Sequence, residues 1–177
     1  MEQETKLASA SYTMMSELIL PNDTNTLGNL MGGKLMYWMD IAGGLAAMKH
    51  CNAQVVTASV DNISFQNPIK LGHLLTIEAQ VTRAFSTSME IYLKVYGQDL
   101  QTKERYLSNE AYMTFVALGA NGRPRTVPLL QPETDTEIEK YNGALRRRQL
   151  RLILAGKMKA HDANELKALF LTTDEKN

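Results

Sequence analysis

A single cysteine, Cys51, stands among the 177 residues of the chain, so neither an internal disulfide framework nor a cysteine-built zinc cluster is possible. The histidines His50, His73 and His161 are scattered, with no pair at metal-ligand spacing, and no metal is expected. No serine sits in a Gly-x-Ser-x-Gly turn and no base adjoins Cys51, which removes the familiar signatures of nucleophilic hydrolases. The glycine-rich stretch lacks the Gly-Lys-Ser/Thr ending of a nucleotide loop, which excludes that type of NTPase. An excess of one charge is missing too. Nineteen Lys and Arg balance nineteen Asp and Glu, which argues against bulk affinity for nucleic acid. Finally, no apolar run is long enough to span a membrane. Leu35 to Met48 carries one charge in fourteen residues and is closed by Lys34 and Lys49, whereas a spanning helix needs about 20 apolar residues. The first residues are acidic where a secretory signal needs bases. A cytoplasmic protein with no nucleic-acid partner and no membrane insertion is the expectation.

What is present is ordinary globular material: 44% apolar and 21% charged residues. Period-two alternation recurs along the first 120 residues. Leu75, Ile77, Ala79 and Val81 oppose Thr76, Glu78, Gln80 and Thr82. Met89, Ile91, Leu93 and Val95 repeat the pattern, and so do Leu107, Ala111, Met113, Phe115 and Ala117. Such runs predict strands over 74–85, 89–95 and 105–118, joined by short connections into an antiparallel meander. Earlier strands are predicted at 10–20, stopping before Pro21-Asn22-Asp23, and at 54–65, which holds Val55-Val56-Thr57-Ala58-Ser59-Val60. The apolar segment 35–48 lies between them and reads as a helix buried inside the fold, with His50 and Cys51 expected as its C-terminal cap and a small packed residue. A lone helix between one strand and four others is most economically wrapped by a curved sheet. Beyond residue 130, acids at Glu133, Asp135, Glu137 and Glu139 precede Arg146, Arg147, Arg148 and Arg151. That order suits a helix macrodipole and predicts a helix over 133–156, with a second at 161–171.

The chemistry concentrates in Pro21 to Asp40. Gly28 and the pair Gly32-Gly33 precede the helix, so its first-turn amides open into a loop without side chains, where an oxyanion can sit. The same glycines would also serve simply to bring a helix into a tight sheet. Asp40 is the sharper clue, the only acid in an otherwise apolar helix. A buried carboxylate is costly unless paired, hydrogen-bonded or used. Its helical neighbours Tyr37, Trp38, Ile41 and Leu45 predict that it is buried, which would make it a stronger base. Asn25, in the preceding loop, is suited to orient a carbonyl or a water, or to shape a turn.

Taken together, Pro21-x-Asp23-x-Asn25-x-x-Gly28-x-x-x-Gly32-Gly33-x-x-Met36-x-x-x-Asp40 closely resembles the signature of the hotdog-fold acyl-CoA thioesterases. The nearest resemblance is to the bacterial broad-range and cytosolic brain-type acyl-CoA hydrolases. Phe65-Gln66-Asn67-Pro68-Ile69-x-x-Gly72, Ser88-Met89-Glu90 and Gly122-x-Pro124-Arg125-x-Val127-Pro128 resemble further turns and strand ends of that family. The similarity covers about residues 10–130. Two positions depart from it: His73 replaces a common turn aspartate, and Met31 replaces an aromatic or histidine, a change expected to alter the acyl channel.

The resemblance implies an α+β hotdog fold, a curved antiparallel sheet around a central helix, with a catalytic domain over 1–130 and a C-terminal helical extension over 131–177. It implies hydrolysis of acyl-CoA thioesters at a subunit interface. Asp40 would act there as general base or nucleophile, Asn25 would come from the facing subunit, and the Gly33 amide would serve as oxyanion donor beside Gly32. A homo-oligomer is implied, a dimer at least and commonly a trimer of dimers. No cofactor is implied, since coenzyme A is part of the substrate and product. The coenzyme's phosphates need cations, for which Arg83, Arg123 and Arg125 are candidates, with Ser86, Thr87 and Ser88 beside them. The competing expectation is a non-catalytic acyl-CoA-binding protein, a sensor or carrier.

Overall fold

The computed structural model describes residues 4–61, 63 and 65–171, in two compact units, Met1–Gln131 and Pro132–Asn177. The first unit holds β1 (Thr5–Leu7), β2 (Thr13–Leu18), α1 (Gly32–Cys51), β3 (Gln54–Val60), β4 (Leu74–Ala84), β5 (Ser88–Gln98), β6 (Arg105–Leu118) and β7 (Leu129–Gln131). Five strands form one antiparallel sheet in the order β2-β4-β5-β6-β3, and β1 pairs with β7 in a separate two-stranded parallel ribbon. The curved sheet around one long helix is the expected hotdog architecture. The helix and the β4–β5–β6 meander agree with the alternation in the sequence. The first strand is shorter than expected, because Ala8–Ser11 winds into a 3-10 turn ahead of it. The strand expected over 54–65 stops at Val60. Of the residues expected to extend it, Asn62 and Ser64 lie outside those described.

Three one-residue bulges curl the sheet. Ala58 in β3, Thr82 in β4 and Ser108 in β6 each lack a partner in the register of the facing strand. An extra residue on one strand bends and twists the ladder, and it also flips which face the following side chains occupy. This explains the one break in the predicted apolar face of β6. Ala111, Met113, Phe115 and Ala117 are buried as expected, whereas Leu107, on the far side of the bulge, is 37% exposed.

On the concave face α1 touches every strand of the sheet. Close approach is possible because Gly43 carries no side chain: a Cβ there would lie 2.9 Å from the ring of Phe115. The buried side of α1 is Leu35, Trp38, Met39, Ala42, Ala46 and Ala47, packed over Leu75, Ile77, Met89, Ile91, Leu93 and Phe115. The helix is not enclosed all round, however. Met36, Tyr37, Leu45 and Met48 remain exposed. No helix among the described residues is long and apolar enough to cross a membrane.

The second unit contains α2 (Asp135–Leu154) and α3 (Asn164–Leu171). Thr134 closes a capping box on α2: its Oγ1 accepts from the Glu137 amide at 3.3 Å and the Glu137 carboxylate accepts from the Thr134 amide at 3.0 Å. Gln149 Oε1 accepts from the Leu166 amide at 2.9 Å and ties the two helices together.

At the other end of α1 the expectation for His50 needs correction. Asn52, in the left-handed conformation at φ 49°, is the C-cap residue. His50 is fully buried instead, and its Nε2–H donates to the Pro128 carbonyl at 3.0 Å, while Nδ1 has no partner among the described residues. Burial pushes its pKa below the ordinary 6.5, against the opposing pull of the Pro128 bond; Lys6 adds to the depression and Glu4 counters it. The folded state therefore binds this proton less readily than the unfolded state, and stability is lost as pH falls below about 6.5, by at most about 1.4 kcal/mol per pH unit. Thermal melts between pH 7.5 and 5 should fall more steeply for the wild type than for His50→Gln, which keeps a donor to Pro128 but does not titrate. Parallel curves would disprove the assignment.

Candidate active site

The loop before α1 is held by Asp23. This buried carboxylate accepts from the Leu20 amide at 3.1 Å and meets Lys34 Nζ at 3.3 Å, and its own carbonyl accepts from the Met31 amide at 2.9 Å. The Lys34 ammonium lies 5.0 Å from the centre of the Trp38 ring, so the loop and the first helical turn are clamped together. Asn25 shapes the loop as a turn residue. Its Oδ1 accepts from the amides of Leu27 at 3.0 Å and Asn29 at 3.2 Å. The loop is then bound to the 65–71 segment by bonds from Leu30 N–H to the Ile69 carbonyl at 2.7 Å and from Leu71 N–H to the Gly28 carbonyl at 2.9 Å.

Met31 is the N-cap residue of α1 and provides no side-chain cap. The amides that follow it are thus open to an oxyanion at the positive end of a 20-residue helix. A Cβ on Gly33 would meet nothing within 4 Å, whereas one on Gly32 would come within 3.3 Å of the Phe65 ring. Gly32 is therefore a packing glycine and Gly33 borders open space. Beside them is a cleft of about 280 Å³ lined by Asn25, Gly32, Leu35, Phe65, Asn67 and Ser108 among others. Met31 is not part of its lining.

Asp40 stands elsewhere. It is exposed in the single chain, contrary to the expected burial, because it lies outside the buried side of α1, beside the edge strand β3, with Tyr37 and Leu45 exposed around it. Its Oδ1 accepts a hydrogen bond from Thr57 Oγ1. Thr57 directly precedes the Ala58 bulge of β3, an edge strand whose Val56 and Val60 are also exposed. Bulges often re-aim a side chain in this way. Sequence reasoning missed Thr57. The one available signal was a hydroxyl residue inside a β-branched run two residues before Ser59, and nothing in that run marks which residue is supernumerary.

Two half-sites result. Asn25 and Gly32 share the cleft, and Asp40 and Thr57 share a hydrogen bond. Gly33 and Asp40 are seven residues apart on one helix, roughly 10 Å along its axis. An oxyanion donor and a base acting on one carbonyl must each come within about 3 Å of the reacting atoms. The two groups are thus well separated along the helix within one chain.

The candidate coenzyme-binding residues gather at one end of the sheet. The turn Ser86-Thr87-Ser88 joins β4 to β5, and its carbonyls accept from Ala117 at 3.0 Å and Val127 at 3.1 Å, while the Arg125 amide donates to Ala117 at 2.9 Å. Arg123 and Arg125 are exposed. Arg83 is half-buried and faces Glu90 in register, a fully buried carboxylate, so it stands apart from the exposed pair. The field of Arg125 reaches Cys51, which puts this cluster near the C-terminal end of α1, away from Gly33 in the same chain. Burial pushes the Cys51 thiol up, so it is not an activated nucleophile. Among the described residues, no group of three His, Cys, Asp or Glu is arranged to hold a metal.

Comparison with known proteins agrees with this architecture. Residues 27–104 match the Thioesterase superfamily. An uncharacterized acyl-CoA thioester hydrolase of Bacillus subtilis is 39% identical over 144 residues, 81% of this chain and 84% of that protein. The crystal structure of an apo-hexameric acyl-CoA thioesterase superposes with a TM-score of 0.84 at 39% identity, over 86% of this chain and 97% of the other. An acyl-CoA hydrolase of Staphylococcus aureus, solved with butyryl coenzyme A, coenzyme A and coenzyme A disulfide, gives a TM-score of 0.79 at 37% identity, over 86% and 95%. That enzyme has also been solved with an aspartate, an asparagine or a threonine replaced by alanine. With its wrapped sheet, its glycine-opened helix and these relatives along most of its length, the chain belongs to the Thioesterase superfamily.

Proposed function

We propose that this chain hydrolyses acyl-CoA thioesters to a carboxylic acid and coenzyme A, in a homo-oligomer whose active site is completed by a second copy. The observation that carries the reading is the separation of the two half-sites on α1. A carboxylate held by Thr57 lies on an exposed apolar helix face, about 10 Å from the uncapped amides that would complement it. Apposing this face in two copies would cover Met36, Tyr37, Leu45 and Met48 and set Asp40 of one copy against Gly33 and Asn25 of the other. The S. aureus relative's coenzyme A complexes and the hexamer of the other neighbour support the substrate and a trimer of dimers.

In this reading Gly33 N–H and the Asn25 side-chain amide receive the thioester carbonyl oxygen. Asp40 acts as general base. Thr57 occupies one of its carboxylate oxygens, and the other accepts a proton from water as that water attacks the carbonyl carbon. Collapse of the tetrahedral oxyanion breaks the carbon–sulfur bond and expels coenzyme A as thiolate, which takes up a proton. A thiolate leaves readily, so no strong general acid is required and no cofactor enters. Preorganised donors to the oxyanion contribute roughly 3–4 kcal/mol each. Arg123 and Arg125, with the 86–88 turn, are assigned to the coenzyme phosphates, and Arg83 to a lesser share. Relatives in mouse and rat named cytosolic acyl coenzyme A thioester hydrolases, each 35% identical over 140 residues, support the cytoplasm as the working location.

Asp40→Asn keeps the size and hydrogen bonding of the side chain, so it should fold and assemble while thiol release from acyl-CoA falls at least about 100-fold. Thr57→Val should cost about tenfold, through loss of a hydrogen bond to a charged group, and Asn25→Ala should cost less than Asp40→Asn. A folded Asp40→Asn protein with near-normal turnover would move the chemistry elsewhere. A wild-type protein that binds acyl-CoA without releasing thiol would instead favour the sensor or carrier.

Sharing of the site makes a second prediction. Mixing Asp40→Asn and Asn25→Ala subunits by unfolding and refolding should restore about a quarter of wild-type activity, because half of the dimers formed at random are mixed and carry one intact site. Activity equal to the mean of the two parents would show that each site lies within one chain.

The coenzyme assignment is tested by replacing Arg83, Arg123 and Arg125 together with glutamine. KM for acyl-CoA should rise several-fold, with a weaker dependence on salt, and an unchanged KM would remove these residues from the site.

A further inference from the structure

His73, where the chain departs from the family pattern, stands in a short chain of hydrogen bonds that the chemistry above does not use. Tyr106 of β6 faces Gly97 of β5 in register, and a Cβ on that glycine would lie 2.5 Å from the Tyr106 ring. The ring thus fills the space that a side chain at 97 would take. Its hydroxyl lies 3.1 Å from the Pro68 carbonyl and 3.0 Å from His73 Nδ1. The two rings meet edge-on, with centres 6.1 Å apart.

Counting protons fixes the direction of both bonds. The Pro68 carbonyl can only accept, so the single hydroxyl hydrogen of Tyr106 is spent on it. The contact with His73 is then a hydrogen bond only if Nδ1 carries a proton and donates to the hydroxyl oxygen. With Nδ1 bare, the Tyr106 hydroxyl would turn to it and the Pro68 carbonyl would lose this partner. A charged imidazole always holds a proton on Nδ1, whereas a neutral one can place its only proton on Nε2. The charged groups that act on the pair are Asp99 and Glu104, both in the connection between β5 and β6. Lys70, on the turn before His73, offers its carbonyl, which accepts from the His73 amide at 3.1 Å. Burial pushes the pKa of the Tyr106 hydroxyl above its ordinary 10, and Glu104 and Asp99 add to the rise, so the hydroxyl remains a donor.

The Pro68 carbonyl belongs to the support on which the loop before α1 is laid. Asn67 is tied to β6 on one side: its side chain donates to the Leu107 carbonyl at 2.8 Å, and its own carbonyl accepts from Ser108 Oγ at 2.7 Å. On the other side Ile69 and Leu71 make the backbone bonds to Leu30 and Gly28 already described. That loop holds Asn25 and runs into Gly33. We propose that Tyr106 is a positioning residue for the oxyanion donors and that a proton on His73 Nδ1 keeps its hydroxyl on Pro68. The inference rests on the thioester-hydrolase reading, because Asn25 and Gly33 act as donors only there. Releasing Pro68 loosens the support between Asn67 and Ile69, and the donors lose part of their alignment. The loss falls on the transition state, so it lowers kcat and leaves KM unchanged.

The experiment measures kcat and KM for thiol release at about pH 6 and about pH 8.5, either side of the range in which histidine changes charge. It compares the wild type, Tyr106→Phe and His73→Asn, with assembly followed by light scattering. Wild-type kcat should exceed that of Tyr106→Phe about fivefold at the lower pH, the effect of one hydrogen bond, and about twofold at the higher. Both enzymes keep Asp40, so its titration cancels in the ratio. His73→Asn offers an amide N–H in place of Nδ1 and does not titrate, so its advantage over Tyr106→Phe should be equal at both pH values. A ratio of wild type to Tyr106→Phe that does not change with pH would leave Tyr106 a structural role only and overturn the proposal, as would a change in KM alone. If Tyr106→Phe does not assemble, the ratio of wild type to His73→Asn decides: a fall with rising pH supports the proposal and a constant ratio overturns it. A wild type that releases no thiol at either pH would overturn the hydrolase reading and this inference with it, an outcome distinct from the others.

Discussion

The approach of α1 to the concave face of the sheet is the constraint on which the other features depend. A helix lying across five strands can bury a whole side only if the strands curl toward it and if nothing bulky separates the backbones. The bulges at Ala58, Thr82 and Ser108 provide the curl, and Gly43 against the Phe115 ring provides the closeness. Fully burying a side chain such as Met39 or Phe115 is worth roughly 1.5–3 kcal/mol, so this interface dominates the stability of the first unit. It also settles which residues of α1 are left facing outward. Asp40 is among them because the inward positions are all taken by apolar or small residues.

Much of this was legible in the chain. Period-two alternation located β4 and β6 to within a residue, because between the bulges and their ends Leu75 to Val81 and Ala111 to Ala117 bury alternate apolar side chains. The charge order of 133–151 located α2, since acids near Thr134 and Arg151 in the last turn serve the ends of a helix. What escaped was everything that depends on a single inserted residue. Leu107 was expected on the apolar face because it shares odd parity with Ala111, and the Ser108 bulge reverses that parity. Thr57 gave no sign of its bond to Asp40 for the same reason. His50 looked like a helix-ending cap, but the chain returns over it at Pro128 and buries it, a long-range contact that no local pattern announces.

Asp40 shows where reading from one chain stops. An acid amid Tyr37, Trp38, Ile41 and Leu45 suggests burial, and that inference treats the helix as surrounded by its own sheet. Only one side of it is. The other side keeps Met36, Tyr37, Leu45 and Met48 exposed, and in the proposed assembly a second copy covers them. Hydrophobic neighbours therefore did not mark an interior.

The three supernumerary residues also bear on how such a protein changes over generations. Ala58 turns Thr57 toward Asp40, Ser108 helps to wall the cleft, and Thr82 Oγ1 donates to the buried Glu90 carboxylate at 2.7 Å. Each rests on one codon in a strand whose remaining ladder is regular. Loss of one such codon would move the rest of the strand by one residue and exchange its buried and exposed faces. Gene lineages built on this scaffold can therefore exchange the residue at these three positions far more readily than they can delete it.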